Sequence, residues 1–204
     1  MTRPELGAVV LAGGRATRLG GIDKPGLEVA GRTLLATVVE ACQGAGADRI
    51  VVVGPERPRL SVRFVREDPA GAGPFAALRR GLAELAALSD PESGDQVAVL
   101  AADLPFVRAA HLRRLIEAAE GHTGAVLVDD EGHGQWLTGC WHRRRLADAA
   151  QRYDGSSLRG LMTPLEPAYV RIEPPVGEAP PWLDCDTGAE LAWARAWPVS
   201  GDGR

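Results

Sequence analysis

Residues Gly7-Ala-Val-Val-Leu-Ala12 are apolar without a break and end at Gly13-Gly14. A strand with one wet face alternates apolar and polar residues. An unbroken run is instead the pattern of an inner strand in a parallel sheet, covered by helices on both sides. Such a strand needs enough chain for two covering layers, and 204 residues with 45% hydrophobic side chains provide it. Apolar residues at Leu34, Leu35, Val38, Val39 and Cys42 recur at helical spacing and predict a helix over 33–45, after a turn at Gly31. Further strands are predicted at 49–54, 62–66 and 96–101, with helices at 75–88 and 111–120. Strands near 125–128 and 136–141, a helix from about 142 and a closing strand and helix over 182–197 complete the chain. Strands alternating with helices predict an α/β fold around a mostly parallel central sheet, organised as one domain over 1–204.

Ligands of open parallel sheets bind outside the carboxyl ends of the strands, which puts Gly13, Gly54 and Asp103 on the functional edge. The loop Leu11-Ala-Gly-Gly-Arg-Ala-Thr-Arg-Leu-Gly-Gly-Ile-Asp-Lys24 follows the buried strand and holds four glycines and three cations. Glycines let backbone N–H groups come close to an anion. The loop lacks the Gly-Lys-Ser/Thr ending of a P-loop and the G-x-G-x-x-G spacing of a dinucleotide site, so it implies a different grip on phosphate. A net charge of -4 and a pI near 5.6 argue against nucleic acid as a partner, because backbone affinity needs clustered Lys and Arg. Cys42, Cys140 and Cys185 are odd in number and far apart, and His111, His122, His133 and His142 lack metal-ligand spacing. Without a basic leader or a membrane-spanning apolar run, a cytoplasmic location with no membrane partner is expected. Asp103 ends an apolar strand that holds no other carboxylate; it either caps the helix after Pro105 or holds a hard cation such as Mg2+.

Leu11-Ala12-Gly13-Gly14, Arg18, Gly20 and Lys24 form the pattern L-x-G-G-x-x-x-R-x-G with a following Lys. Three further segments accompany it: Glu67-Asp68 with Gly73-Pro-Phe-Ala-Ala77, then Ala102-Asp-Leu-Pro-Phe106, and Asp184-Cys-Asp-Thr187. In these segments, which span nearly the whole chain, the sequence resembles the molybdenum cofactor guanylyltransferases, within a larger group of nucleotidyltransferases. The resemblance implies a three-layer, Rossmann-like nucleotidyltransferase fold whose N-terminal half binds the nucleotide and whose C-terminal half binds the acceptor. It implies a Mg2+-dependent reaction in which a molybdopterin phosphate attacks the α-phosphorus of GTP and expels pyrophosphate. Transient contact with a molybdoenzyme or a cofactor chaperone follows from the same resemblance.

Carried onto this chain, the resemblance makes Arg18, Lys24 and Asp103 the catalytic set, with Arg18 and Lys24 on the triphosphate and Asp103 as the Mg2+ ligand. Leu11, Ala12, Gly13, Gly14, Lys24, Asp68 and Asp103 become the nucleotide contacts; Asp68 can equally be a turn-forming residue before Pro69. Trp136 becomes a stacking surface for the acceptor, against the alternative that it is packing. Asp184 and Asp186 stand where many such enzymes carry Asn-x-Asn-Thr. They either form a helix cap with Thr187, or orient the acceptor or bind a second metal. Gly54 stands where the family often has a polar residue, so no side chain reads the base there. Small residues at Ala12, Gly13 and Gly14 leave backbone groups to read it, with GTP expected over CTP and ATP. Cytidylyl transfer to the same cofactor, guanylyl transfer to a phosphorylated small acid, and a non-catalytic cofactor-delivery protein are the alternatives.

Overall fold

The computed structural model describes residues 6–13, 23–57, 59–88 and 95–197. In chain order the strands and α-helices are β1 (Leu6–Leu11), β2 (Glu28–Val29), β3 (Arg32–Thr33), α1 (Leu34–Ala45), β4 (Ala47–Val53), β5 (Arg63–Val65), α2 (Pro74–Leu88) and β6 (Gln96–Ala101). There follow α3 (Ala109–Ala118), β7 (Gly124–Val128), β8 (Gly134–His142), α4 (Arg143–Arg152), α5 (Leu158–Met162), β9 (Ala168–Arg171) and α6 (Gly188–Ala196).

β1 explains its own composition. Ala8 and Val10 face one layer, with Leu35 and Val38 of α1 and Leu112 and Leu115 of α3. Val9 and Leu11 face the other, with Leu78 and Leu82 of α2, Leu146 of α4 and Leu161 of α5. Since successive side chains point to opposite faces, a strand covered on both must be apolar at every position. Among the described residues the sheet runs β5-β4-β1-β6-β8-β7-β9. Only β8 runs against its neighbours, β6 and β7; the other pairings are parallel. The fold is therefore the expected three-layer α/β arrangement on a mostly parallel sheet.

Several elements differ from expectation. The strand predicted at the start of 182–197 does not form, and residues 183–186 run as irregular chain into α6. The outer strand is instead β9, paired in parallel with β7. An edge strand of four residues, alternately half-buried and exposed, carries too little apolar pattern to be read from sequence. The five-residue α5 is likewise shorter than two helical turns, too short for a periodic signal.

The sheet order positions the site. β4 lies on one side of β1 and β6 on the other, so the chain reverses its direction of travel about β1. In open α/β sheets, ligands sit at the carboxyl ends of the strands flanking such a switch point. Gly13 leaves β1 there and Asp103 leaves β6 there. β8 extends past the end of β6 on the same edge: Thr138 pairs with Leu100, and Gln135–Leu137 continue beyond it.

Candidate active site

Four charged side chains meet at the end of β6. The Lys24 ammonium donates to Asp103 Oδ2 at 2.6 Å and also to Asp186 Oδ1. Asp103, Asp184 and Asp186 each bring a carboxylate oxygen within 4.8 Å of the others. Burial alone would lower the lysine's pKa, but its bonds to Asp103 and Asp186 outweigh that and hold it above its usual value. Asp184 is pushed up to about 6, first by loss of solvent and then by the charges of Asp186 and Asp103, although the residue as a whole is exposed. All the carboxylate donors are hard oxygens, and a cation already sits between two of them. This set fits a divalent hard cation such as Mg2+.

Each member is delivered by local structure. Lys24 opens a single 3-10 turn, Lys24–Gly26, with Pro25 inside it. Asp23, just before, is held by both terminal nitrogens of Arg57, at 2.5 Å each. This bidentate pair keeps the Asp23 carboxyl below its usual range and anchors the base of the lysine. Arg57 escaped sequence reasoning because it lies 34 residues from its partner, with no local pattern. On the other wall, Cys185 is fully buried with Val29, Leu34, Leu191 and Ala194, and it seats the 184–186 segment. Burial, and then the Asp103 charge, push its thiol up to about 11, so it stays neutral.

Thr187 is the residue that caps α6: its Oγ1 accepts from Glu190 N–H at 3.2 Å and Glu190 Oε2 accepts from Thr187 N–H at 2.7 Å. Neither Asp184 nor Asp186 is used in that box, so the cap expected of one of them is not made and both carboxylates face the cluster. Asp103 is not a cap either, since α3 starts at Ala109 with Arg108 at its N-cap.

The other expected residues divide. Leu11 and Ala12 close β1 with committed backbone: Leu11 carbonyl accepts from Ala102 N–H at 3.0 Å, and Ala12 N–H donates to Val53 carbonyl at 2.9 Å. A methyl group on Gly54 would lie 2.8 Å from the Ala12 backbone, so close approach of the two strand ends requires glycine there. Gly14 and Arg18 lie outside the described residues. Asp68 is exposed, next to Pro69, and is not drawn into the cluster. Trp136 is half-buried on the extension of β8, edge-on to Tyr169 with ring centroids 6.2 Å apart. Phe75 of the Gly-Pro-Phe segment is core, packed at the start of α2 against Tyr153. A separate cleft of about 460 Å³ behind Phe106 is lined by Arg32, Glu40, Arg108 and Glu178, which pair among themselves, and by none of the cluster residues.

Residues 8–170 match the model of the MobA-like NTP transferase domain. The chain belongs to this family. Among MobA-like relatives, a molybdenum cofactor guanylyltransferase from Bradyrhizobium is 29% identical over 92% of this chain and 90% of its own. A probable molybdenum cofactor guanylyltransferase from Opitutus terrae is 36% identical over 62% of each chain, so the match spans less than two thirds of that relative. Among solved structures, a nucleotidyl transferase from Methanothermobacter superposes with a TM-score of 0.73 at 25% identity, over 94% of this chain and 96% of the other. In this MobA-like chain, no helix among the described residues is long and apolar enough to cross a membrane.

Proposed function

We propose that the protein transfers GMP from GTP to the terminal phosphate of a molybdopterin-type acceptor and releases pyrophosphate. The convergence of Lys24, Asp103, Asp184 and Asp186 at the switch point carries this reading. The named guanylyltransferase relatives supply the substrate class. An acceptor phosphate oxygen forms a bond to the α-phosphorus as the bond to the α,β-bridging oxygen breaks, and the electron pair leaves with pyrophosphate. Such transfer needs positioning and charge neutralisation rather than a covalent intermediate. Asp103 and Asp186, with Asp184, would hold Mg2+, which when bound neutralises phosphate charge. Lys24 is a compact cation on a flexible stem, so its ammonium can turn from the carboxylates to the triphosphate. Arg18 takes the same triphosphate from the loop, with the backbone at Gly13 and Gly14, the surfaces of Leu11 and Ala12 and the Asp68 side chain along the nucleoside. Trp136, on the β8 extension, offers a stacking face to the acceptor, which Asp184 and Asp186 help to orient. GTP is preferred over CTP and ATP, and the reaction runs in the cytoplasm, where the product passes to a molybdoenzyme or chaperone.

The test is to incubate the protein with each of the four triphosphates and Mg2+, with and without molybdopterin, and to follow pyrophosphate. Release from GTP that depends on the acceptor is the expected result. A kcat/KM for CTP equal to or above that for GTP makes the enzyme a cytidylyltransferase, and nucleotide binding without pyrophosphate makes it a delivery protein.

A further inference from the structure

One carboxylate at the functional edge has no part in the cluster. Glu67 follows β5 and is half-buried, and its Oε1 accepts from Gly71 N–H at 2.9 Å. A methyl group on Gly13 would lie 3.7 Å from that oxygen and 3.9 Å from Oε2, so the carboxylate faces the glycine exit of β1. Among the described residues Oε2 has no hydrogen-bond partner and no cation pairs with the group. A half-buried carboxylate left this way gains from any ligand that brings donors to it.

Strand order decides which part of a nucleotide arrives there. The cations and the acidic cluster stand at the end of β6, on one side of β1; Glu67 stands at the end of β5, on the other side, with β4 between. A triphosphate lying over Lys24 and Asp103 extends its base across Gly13 toward Gly54 and Glu67. Much of the backbone on that path is already committed. Ala12 N–H is bound by Val53 carbonyl at 2.9 Å, and Gly54 N–H by Val65 carbonyl at 2.8 Å. Guanine presents two adjacent donors, N1–H and the N2 amino group, and an ionised carboxylate is an acceptor only. Adenine and cytosine instead place a ring-nitrogen acceptor beside their amino donor, and a carboxylate repels it.

Resting on the guanylyl reading, we infer that Glu67 reads the base, its carboxylate accepting from guanine N1–H and N2–H. The test is calorimetric binding of GTP, ITP, XTP and CTP, with Mg2+ and no acceptor, to the full chain, to Glu67→Gln and to Asp68→Asn. The wild-type protein should bind GTP about tenfold more tightly than ITP, which lacks the N2 donor. In Glu67→Gln the side-chain amide would retain an oxygen for Gly71 N–H while turning its NH2 donor toward the base. GTP should then weaken by about tenfold or more, and XTP, whose C2 carbonyl accepts that donor, should strengthen. Glu67→Gln that binds all four nucleotides like the wild type leaves Glu67 as a turn staple and overturns the inference. A loss confined to Asp68→Asn overturns it too, by moving the reader one residue on. A wild-type protein that prefers CTP fails the guanylyl reading itself, and does so before any variant is made.

Discussion

A lysine ammonium clamped by two carboxylates is a cation site filled from within, and its residues should respond to substitution and pH accordingly. Asp103→Asn should abolish pyrophosphate release while circular dichroism and Tm stay near wild type, because an amide binds Mg2+ far more weakly than a carboxylate at an already half-buried position. Wild-type turnover in that variant removes Asp103 from the metal. Lys24→Ala should raise KM for GTP and lower kcat more than Arg159→Ala, which removes an exposed cation; equal effects return Lys24 to an ordinary ion pair. A third prediction concerns pH. Asp184 stands at about 6, against 3.8 for the ordinary group. As pH rises from 3.8 toward about 6, the unfolded chain ionises first, so the metal-free fold progressively loses the stability it has when Asp184 is neutral. Mg2+ relieves that crowding of charge but needs the ionised ligand. The rise in Tm on adding Mg2+ should therefore be present at pH 7.5 and fade below pH 6, about tenfold in apparent Kd for each unit. A Tm increment that does not change with pH contradicts this, and Asp184→Asn should flatten it.

Elements bring these residues into register, and the cap of α6 is the most exposed link. Thr187→Ala removes the acceptor for Glu190 N–H and should cost about 1 kcal/mol of stability. Because Asp186 is the preceding residue, fraying of the first turn should also weaken Mg2+ binding several-fold, whereas Thr187→Ser should restore both. Calorimetric titration of Mg2+ against the two variants separates this from a purely global loss. Thr187-Gly-Ala-Glu190 is a capping box visible in the chain itself, and it was the signal that Asp186 was not needed as a cap. The ends of β1 and β6 were equally visible, one as an apolar run stopping at glycines, the other as an apolar run stopping at Asp103. β9 was not, since its pairing with β7 along one side is what makes it a strand. The strand expected at the start of 182–197 does not form because Cys185 is instead a plug in a small apolar cluster.

Across the whole molecule, the two faces of the sheet and the C-terminal cluster should respond differently to cavities. Leu146→Ala opens the α2–α4 layer and Leu34→Ala the cluster beneath Cys185, both at fully buried positions. Each should cost about 2–5 kcal/mol in chemical denaturation. Only Leu34→Ala should also weaken Mg2+ affinity, measured where both variants remain folded, because only that cluster seats Asp184 and Asp186; equal affinities in the two variants would falsify the coupling. The α/β layering, the edge on which ligands bind, the glycine loop and the strand-end Asp103 are legible in the bare chain, because they are written in periods of two and of 3.6 residues and in local breakers. Folding in three dimensions was needed to bring Lys24 to Asp186 across 162 residues, to anchor Asp23 on Arg57, and to turn Glu67 rather than Asp68 toward Gly13. Those are meetings between segments that follow different strand ends and, for Asp186, a returning C-terminal segment. They depend on sheet order and on which side of a turn a side chain leaves, and local periodicity encodes neither.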